Sequence, residues 1–535
     1  MKYTIGVDFG TLSARAVVVN AQTGEVAAEG ECGYALYQDM LPNGTKLPAE
    51  MVLADPKEYK NALVTCVKNA VSGIAKEDIL GISVDATALT LVATDMNGQP
   101  MCFNPQWEQE PNAWIKLWKS HSAQRQAERI QTIAEQENHP MLGQCGGNIS
   151  SEWAFPKMLE TYENAPEVFR QTDTFWDLCD WLTYLLTGEK TRGIGSLCNK
   201  FQFNGTAFPE EDFLNQISPG FGTALTGKLN GKVLAWGEYA GPLLPEMAEA
   251  MGLCPGIAVG SGSLDGHVAM ASLGLYQSGD VMLTIGTSTV FAILAERLRV
   301  VPGVCGSGMD ALIPGLAGYD SGQCSVGDTF DWFVKNQVPE RYFRQAEEEN
   351  CSVHELLSRM AFSRLPQPED PIALDWWNGN RCIRGDLTLR GAVYGLSLTT
   401  KAEDMYRCLV ESTAFGIKNI MENFEKLGVP VGTIRACGGI SQKNRHLMQC
   451  YADVLERPIE VSSRSNGAAI GAAILAAVAA GCYLDLQQAM DALAEKTFVT
   501  YYPREAHTQV YLPRYEKYLK MDRFFGDILN TEENE

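Results

Sequence analysis

Histidine is scarce in this chain, and the usual arrangements of metal-binding or disulfide-bonded cysteines are missing. Six histidines are spread over 535 residues, and none has the spacing to a cysteine or another histidine that a zinc site requires. The 15 cysteines include no Cys-x-x-Cys pair, and a disulfide framework is typical of small secreted chains. We therefore expect reduced, mostly buried thiols and no structural metal.

Basic residues are outnumbered, and long apolar runs are absent. Forty-three Lys and Arg against 65 Asp and Glu give a net charge of −22, which would repel a nucleic-acid backbone or an anionic membrane. No apolar run reaches the ~18 residues of a membrane span, and the first strand begins without a basic-then-apolar leader. We expect a cytoplasmic protein with small-molecule partners and neither nucleic acid nor membrane.

What the sequence does contain is a hairpin signal near its beginning. Residues 3–7 and 16–19 are β-branched runs on either side of a Gly-Thr turn. In such a turn the glycine admits a ligand close to the backbone, hydroxyl and N–H groups can hold phosphate oxygens, and an acid at the strand end can hold hydrated magnesium. The residues concerned are Gly10, Thr11, Ser13 and Asp8. A single copy is equally compatible with an ordinary turn.

A second copy of this pattern strengthens the functional interpretation. Residues 283–289 form another apolar strand that runs into Gly286 and Thr287, and both follow Gly10 and Thr11 at an offset of 276 residues. Two similar hairpins this far apart predict two halves of one architecture, each with a phosphate-binding turn. A nucleotide could lie between them.

The predicted order of elements separates this fold from a dinucleotide-binding one. Three antiparallel strands, a helix capped by Asp55 and a strand at 79–85 give the half-domain order of actin-like proteins and sugar kinases, whereas a Rossmann domain begins with parallel strands. In the second half we predict helices at 401–427, 442–455 and 466–480 and strands at 433–436 and 459–461. Residues 100–235 are predicted to be an aromatic-rich insertion, and we expect most of its tryptophans to lie in the core and a minority to contact a sugar. After residue 490 the sequence predicts only helical and aromatic-rich packing segments.

A glycine-dense loop at 260–267 carries one carboxylate, Asp265. The loop is not a Gly-x-Gly-x-x-Gly fingerprint, because Asp265 stands where the third glycine would be. At a cleft between two phosphate-binding hairpins, Asp265 could accept a proton from a hydroxyl that attacks a γ-phosphate. The alternative is that it only closes a turn.

Together these motifs resemble the FGGY carbohydrate kinases over the chain as far as about residue 490. The matching features, in order, are Asp8-x-Gly10-Thr11, Leu264-Asp265-Gly266, Gly286-Thr287, and Gly438-Gly439 followed by Asn444. The resemblance implies an α/β, two-domain, actin-like (ribonuclease H-like) fold with a duplicated βββαβαβα core. It also implies a sugar-binding domain at 1–275 that contains the insertion 100–235, an ATP-binding domain at 276–490 and a helical extension at 491–535.

Within the family the chain looks most like the ribulokinases, on stretches such as 148–153 and 374–379. That likeness implies the cofactors ATP and Mg²⁺, with Asp265 as catalytic base and Asp8 and Asp265 near the metal. ATP would contact Gly10, Thr11, Ser13, Gly286, Thr287, Gly438, Gly439 and Asn444. The sugar would contact Ala88, Lys200, Asp265 and Asp320.

One departure from the ribulokinase pattern concerns the sugar. Where ribulokinases carry Gly-Leu-Glu-Ala-Gly-Gln, this chain has residues 318–323 with Asp320 in place of Glu, one methylene shorter. The expected reaction is phosphorylation of a ketopentose, ribulose first, in pentose or arabinose catabolism, and xylulose, rhamnulose and ribitol are the alternative substrates. An actin-like ATPase or a silent sugar-binding regulator is the alternative of another class, and a homodimer is the assembly to be tested.

Overall fold

The computed structural model describes residues 1–529, and the acidic tail at 532–535 that the sequence predicts to be disordered lies outside them. None of the helices in this described part has the length and apolar character needed to cross a bilayer. All fifteen cysteines are free thiols, ten of them buried, as expected.

The strands of the first half run from residue 3 to residue 264. They are β1 (Tyr3–Phe9), β2 (Ser13–Asn20), β3 (Val26–Gly33), β4 (Leu36–Tyr37), β5 (Leu53–Ala54), β6 (Ile79–Ala86), β7 (Leu91–Thr94), β8 (Ile115–Lys116), β9 (Thr174–Asp177), β10 (Thr191–Gly193), β11 (Lys232–Leu234), β12 (Tyr239–Pro242), β13 (Ala258–Gly260) and β14 (Ser263–Leu264).

The helices of this half include the one predicted after Asp55, whose side chain caps it by accepting a hydrogen bond from the amide of Lys57 at 2.8 Å. They are α1 (Pro56–Ala70), α2 (Gln124–Gln136), α3 (Met141–Gln144), α4 (Ala154–Asn164), α5 (Pro166–Gln171), α6 (Leu178–Thr187), α7 (Ile194–Lys200), α8 (Glu211–Ile217), α9 (Phe221–Leu225), α10 (Pro245–Met251) and α11 (Asp265–Leu273). Three short 3-10 helices lie at Lys76–Asp78, Met101–Phe103 and Pro111–Ala113.

The second half repeats the pattern. Its strands are β15 (Val281–Ile285), β16 (Thr289–Ala295), β17 (Gly306–Met309), β18 (Ala317–Gln323), β19 (Ile372–Ala373), β20 (Val393–Tyr394), β21 (Ile434–Cys437), β22 (Ile459–Ser462) and β23 (Phe498–Tyr501). Its helices are α12 (Gly327–Gln337), α13 (Glu340–Glu348), α14 (Val353–Ala361), α15 (Ala402–Lys426), α16 (Gly439–Lys443), α17 (Arg445–Leu455), α18 (Gly467–Ala479), α19 (Leu486–Leu493) and α20 (Glu505–Arg523), and a π-helical turn follows at Phe524–Leu529.

Two seven-stranded sheets confirm the duplicated core. The first has the order β12-β13-β6-β1-β2-β3 with β14 also paired to β6, and the second has the order β17-β18-β16-β15-β21-β22-β23. In the first sheet the antiparallel strands β1, β2 and β3 are followed by β6 and β13, which run parallel to β1. In the second sheet the antiparallel strands β15, β16 and β18 are followed by β21 and β22, which run parallel to β15. This is the actin-like arrangement, in which corresponding strands and turns recur in both halves.

Helix α18 joins the halves, because it belongs to the second by sequence and packs on the first. A β-carbon built on Gly6 of β1 would lie 1.8 Å from the carbonyl oxygen of Ala469. One built on Gly471 would lie 2.1 Å from the carbonyl oxygen of Val268 on α11. The small residues of α18 therefore serve close backbone packing against sheet and helix.

Two predicted details differ from the structure. The helix predicted at 442–455 is two helices, α16 and α17, that meet at Asn444, where the backbone is not helical (φ −111°, ψ 83°). The packing segments predicted after residue 490 include strand β23, which pairs with β22 and completes the second sheet. Local pattern did not distinguish this edge strand, because none of its four residues is fully buried.

Candidate active site

The first hairpin turn is held in place by side chains from outside it. The amide of Gly10 donates to the carbonyl of Ser13 at 3.1 Å, and the Tyr34 hydroxyl donates to the carbonyls of both residues. The indole Nε1 of Trp118 donates to Thr11 Oγ1 at 3.3 Å, while the hydroxyl of Ser13 is bound to Glu31 at 2.9 Å. The turn thus has a fixed shape, and a β-carbon built on Gly10 would lie in ordinary contact with the carbonyl oxygen of Ser13, at 3.6 Å.

The second hairpin turn contacts the start of helix α12. The amides of Val326 and Gly327 donate to the carbonyls of Thr287 and Gly286 at 2.7 and 3.0 Å. Thr287 itself is exposed. A β-carbon on Gly327 would lie 2.8 Å from Cδ1 of Ile440, so the Gly438-Gly439 turn lies beside this hairpin.

The Gly438-Gly439 turn and Asn444 have different surroundings. Gly438 has φ +97°, a left-handed conformation, and a β-carbon there would lie 2.5 Å from the carbonyl oxygen of Ile285. Nothing lies within 4 Å of a β-carbon on Gly439, so this position is open. The side chain of Asn444 caps α17 through the amide of Leu447 at 3.0 Å and donates to Ser358 at 2.9 Å. Its expected contact with adenosine stays a prediction.

Three carboxyl groups lie where the first sheet ends. Asp8 on β1 is the register partner of Asp85 on β6, and β14, which also pairs with β6, leads directly into Asp265. Burial raises the pKa of Asp85 well above its ordinary value, and the charge of Asp8 adds to the shift. Burial also raises the pKa of Asp8, against the influence of Asp85 and of Arg15, which lies 3.9 Å away.

Asp265 is the first residue of helix α11 and is half-buried. Its Oδ1 accepts a hydrogen bond from the amide of Gly266 at 2.6 Å. Burial, followed by the charge of Asp8, raises the pKa of Asp265 to about 7, while Lys200 opposes the rise. A β-carbon on Gly266 would lie 3.7 Å from Val290 of β16, so the start of α11 lies beside the second sheet.

Lys200 and Asp320, which only the family resemblance selected, form a buried pair. Lys200 Nζ donates to Asp320 Oδ2 at 2.9 Å, and His267 Nε2 lies 3.5 Å from Oδ1. Burial alone would raise the pKa of Asp320, but Lys200 and His267 hold it below its ordinary value. Asp320 is therefore ionised, and its position is fixed by groups from α7 and α11.

Ala88 lies in the turn that follows β6 and is half-buried. The amide of Thr87 donates to the carbonyl of Phe9 at 3.0 Å, which ties this turn to the end of β1. The next residue, Leu89, has φ +46°, a left-handed conformation that a side chain disfavours.

Two charged residues beside Glu152 carried no sequence signal. Arg381 lies 3.5 Å from Glu152, and His121 lies 3.8 Å from the same carboxylate. Burial would raise the pKa of Glu152, but Arg381, His121 and Lys200 lower it. Such residues lie in irregular segments far apart in the chain, so no spacing pattern connects them.

The tryptophans of the insertion are mainly core. Trp153, Trp176 and Trp181 are buried, whereas Trp107 and Trp118 are partly exposed. Trp118 is hydrogen-bonded to a predicted site residue, Thr11.

The arrangement of the carboxylates favours a divalent cation bound jointly by the protein and a phosphate over a metal site built entirely from protein side chains. Neither oxygen of Asp85 receives a hydrogen bond from residues 1–529, and burial raises the pKa values of Asp8, Asp85 and Asp265, so a nearby cation would stabilise their ionised forms. Within the same residues, no three His, Cys, Asp or Glu side chains form a metal-binding group. Mg²⁺ commonly takes only one or two carboxylates together with water and phosphate oxygens, and Asp8 and Asp265 could supply these.

Two family profiles account for most of the chain. The N-terminal domain of the FGGY family of carbohydrate kinases matches residues 3–274, and its C-terminal domain matches residues 281–480. The chain belongs to the FGGY family of carbohydrate kinases. Its enzymatic class is therefore phosphotransfer to an alcohol group.

Relatives of this FGGY kinase extend over its full length. A ribulokinase from Halalkalibacterium halodurans is 39% identical over 98% of this chain and 95% of its own, and one from Shouchella clausii is 38% identical over 99% and 97%. Among solved structures, xylulose kinase from Rhodospirillum rubrum superposes with a TM-score of 0.80 over 97% of this chain and 98% of its own, at 20% identity. The structural likeness supports the fold, and the sequence relatives bear on the substrate.

Proposed function

We propose that this FGGY kinase transfers the γ-phosphoryl group of ATP to the 5-hydroxyl of ribulose. The observation that carries the proposal is the position of Asp265 at the end of the first sheet, where Asp8 and Asp85 are register partners and where burial and the charges of Asp8 and Lys200 act on the pKa of Asp265. The full-length similarity to ribulokinases supports the choice of sugar. The setting would be pentose or arabinose catabolism in the cytoplasm, where ATP is available.

The chemistry would proceed by in-line displacement. Ionised Asp265 accepts the proton of the sugar hydroxyl, the hydroxyl oxygen bonds to the γ-phosphorus, and the bond to the β,γ-bridging oxygen breaks to release ADP. Mg²⁺ held by Asp8 and Asp265 would offset the phosphate charge. Because the transition state is loose, the protein mainly positions groups and neutralises charge.

The remaining residues would bind the two substrates. Lys200, Asp320 and Ala88 would contact the sugar, and the hairpins at Gly10–Ser13 and Gly286–Thr287 would hold the phosphates. Gly438, Gly439 and Asn444 would line the adenosine pocket. Residues 1–275 would form the sugar-binding domain, with 100–235 as its insertion, and residues 276–490 the ATP-binding domain, followed by an extension from 491.

Initial rates of ADP formation across ribulose, xylulose, rhamnulose and ribitol test the substrate. The expected result is the highest kcat/KM with ribulose and little ATP hydrolysis without sugar. A higher kcat/KM with another sugar would make that sugar the substrate in place of ribulose. ATP hydrolysis that does not depend on sugar would indicate an ATPase. Sedimentation would test for a homodimer.

A further inference from the structure

Lys157, on helix α4, is buried beneath the candidate site and directs its ammonium group at main-chain oxygens. Its Nζ donates to the carbonyls of Leu117 at 2.7 Å, Leu89 at 3.2 Å and Trp118 at 3.3 Å. The residue is 1% exposed, and no carboxylate of residues 1–529 lies within 4 Å of its Nζ. The three N–H bonds of the ammonium thus match three carbonyls from two separate loops.

Each of these loops carries a group of the candidate site. Leu89 follows Ala88 directly, and its left-handed backbone (φ +46°) persists only where surrounding contacts hold it. Trp118 donates through its indole to Thr11 in the first hairpin. One buried ammonium therefore connects the wall expected to face the sugar with the turn expected to face ATP.

We propose that Lys157 is a positioning residue, which fixes the main chain of Leu89 and Trp118 and, through them, Ala88 against the sugar and Thr11 against the ATP phosphates. The proposal rests on the proposed function for the identity of the two ligands. The anchoring of the two loops does not depend on that identity.

The anchoring should depend on protonation, because a neutral amine has only two N–H bonds for three carbonyls. Burial lowers the pKa of Lys157 to about 7. Lys116 from β8 adds to this shift, while Glu152 before α4, Asp177 on β9 and Glu160 on α4 oppose it. A lowered pKa means that the ammonium is complete below pH 7 and loses a donor as the pH rises above it.

The first test compares Lys157→Met with Lys418→Met, which removes another buried lysine, one bonded to the carbonyl of Val454 at 3.0 Å. For Lys157→Met at pH 6.5 we expect KM values for both sugar and ATP to rise about tenfold, with a smaller fall in kcat. From pH 6.5 to 8.5 both KM values should rise in the native enzyme and stay flat in Lys157→Met. A lower melting temperature with native KM values would overturn the proposal.

The second test needs no substrate, so it is independent of the proposed function. Hydrogen–deuterium exchange of residues 87–90 and 117–118 should lose protection in Lys157→Met and keep it in Lys418→Met. If Lys157→Met does not fold, the native protein serves, since protection factors of the same residues should fall between pH 6.5 and 8.5. Unchanged protection would refute the anchoring role of Lys157. Lost protection, together with no turnover of ribulose by the native enzyme, would refute only the proposed substrate.

Discussion

Lys200 and Asp320 connect the two halves of the molecule. Lys200 ends helix α7 of the first half, Asp320 lies on β18 of the second sheet, and 2.9 Å separates Nζ from Oδ2. Both side chains are largely buried, so the loss of either would leave an uncompensated charge. The length of the acid therefore sets where its charged oxygen lies relative to Lys200, and in the proposed mechanism this oxygen would contact the sugar.

Asp320→Glu tests that relation. The longer side chain moves the carboxylate relative to Lys200, so we expect the ratio of kcat/KM for ribulose over xylulose to change by about tenfold or more, with the KM for ATP unchanged. Asp331→Glu, in an exposed helix pair with Lys335, is the control and should keep the native ratio. An unaltered ratio of kcat/KM values in Asp320→Glu would show that this acid does not determine which sugar is preferred.

Asp265→Asn should abolish most turnover. An amide cannot accept the hydroxyl proton, so kcat should fall by about 10²-fold or more while equilibrium binding of the sugar is largely retained. Stopped assays and calorimetry measure the two quantities, with Asp331→Asn as control. Turnover within a few-fold of native would exclude Asp265 as the base.

The pH dependence should show the raised pKa of Asp265. Below a pKa of about 7 the carboxyl group is protonated and cannot act as a base, so kcat/KM should fall about tenfold per pH unit. In Asp8→Asn one repelling charge is gone, and the residual activity should fall off at a lower pH. If kcat/KM of the native enzyme fell only near pH 4, Asp265 with its raised pKa would not be the base.

Trp118→Phe should weaken ATP binding. It removes the 3.3 Å hydrogen bond to Thr11, worth about 1 kcal/mol, so the KM for ATP should rise about fivefold. Trp107→Phe is a matched control, because its Nε1 has no hydrogen-bond partner in residues 1–529. Equal KM values in the two variants would show that Trp118 does not support the turn.

Gly471→Ala should destabilise the fold. The added methyl group would meet the carbonyl oxygen of Val268 at 2.1 Å, and overpacking of this kind costs about 1–3 kcal/mol. Gly467→Ala on the same helix meets its nearest atom at 3.3 Å and should be far milder. Denaturant titration compares the two, and similar unfolding free energies would argue against close packing there.

The sequence predicts the repeated parts of this fold well, because each depends on local pattern. The two Gly-Thr hairpins, the Asp55 cap and the strand-strand-strand-helix-strand start of the first half follow from turn chemistry and periodicity within short windows, whereas the full duplicated core is implied by the family resemblance. The break at Asn444 is not visible in such a window, since its neighbours Lys443 and Arg445 are both good helix formers.

The site is predictable only in part, because its pairs join distant segments. Residues 200 and 320 face one another across 120 positions, and no periodicity relates them. Lys157 is less accessible still to sequence reasoning, since its partners are backbone carbonyls, which every residue possesses. A lone lysine in an amphipathic helix is ordinarily assigned to the solvent.

Strands β16 and β18 are hydrogen-bonded neighbours, and the first begins just after Thr287 while the second contains Asp320. The nucleotide turn and the sugar acid of the proposed mechanism thus share one rigid ladder. If the two halves rotate relative to each other, Thr287 and Asp320 would move together, and Asp8 and Asp265 of the first half would move relative to both.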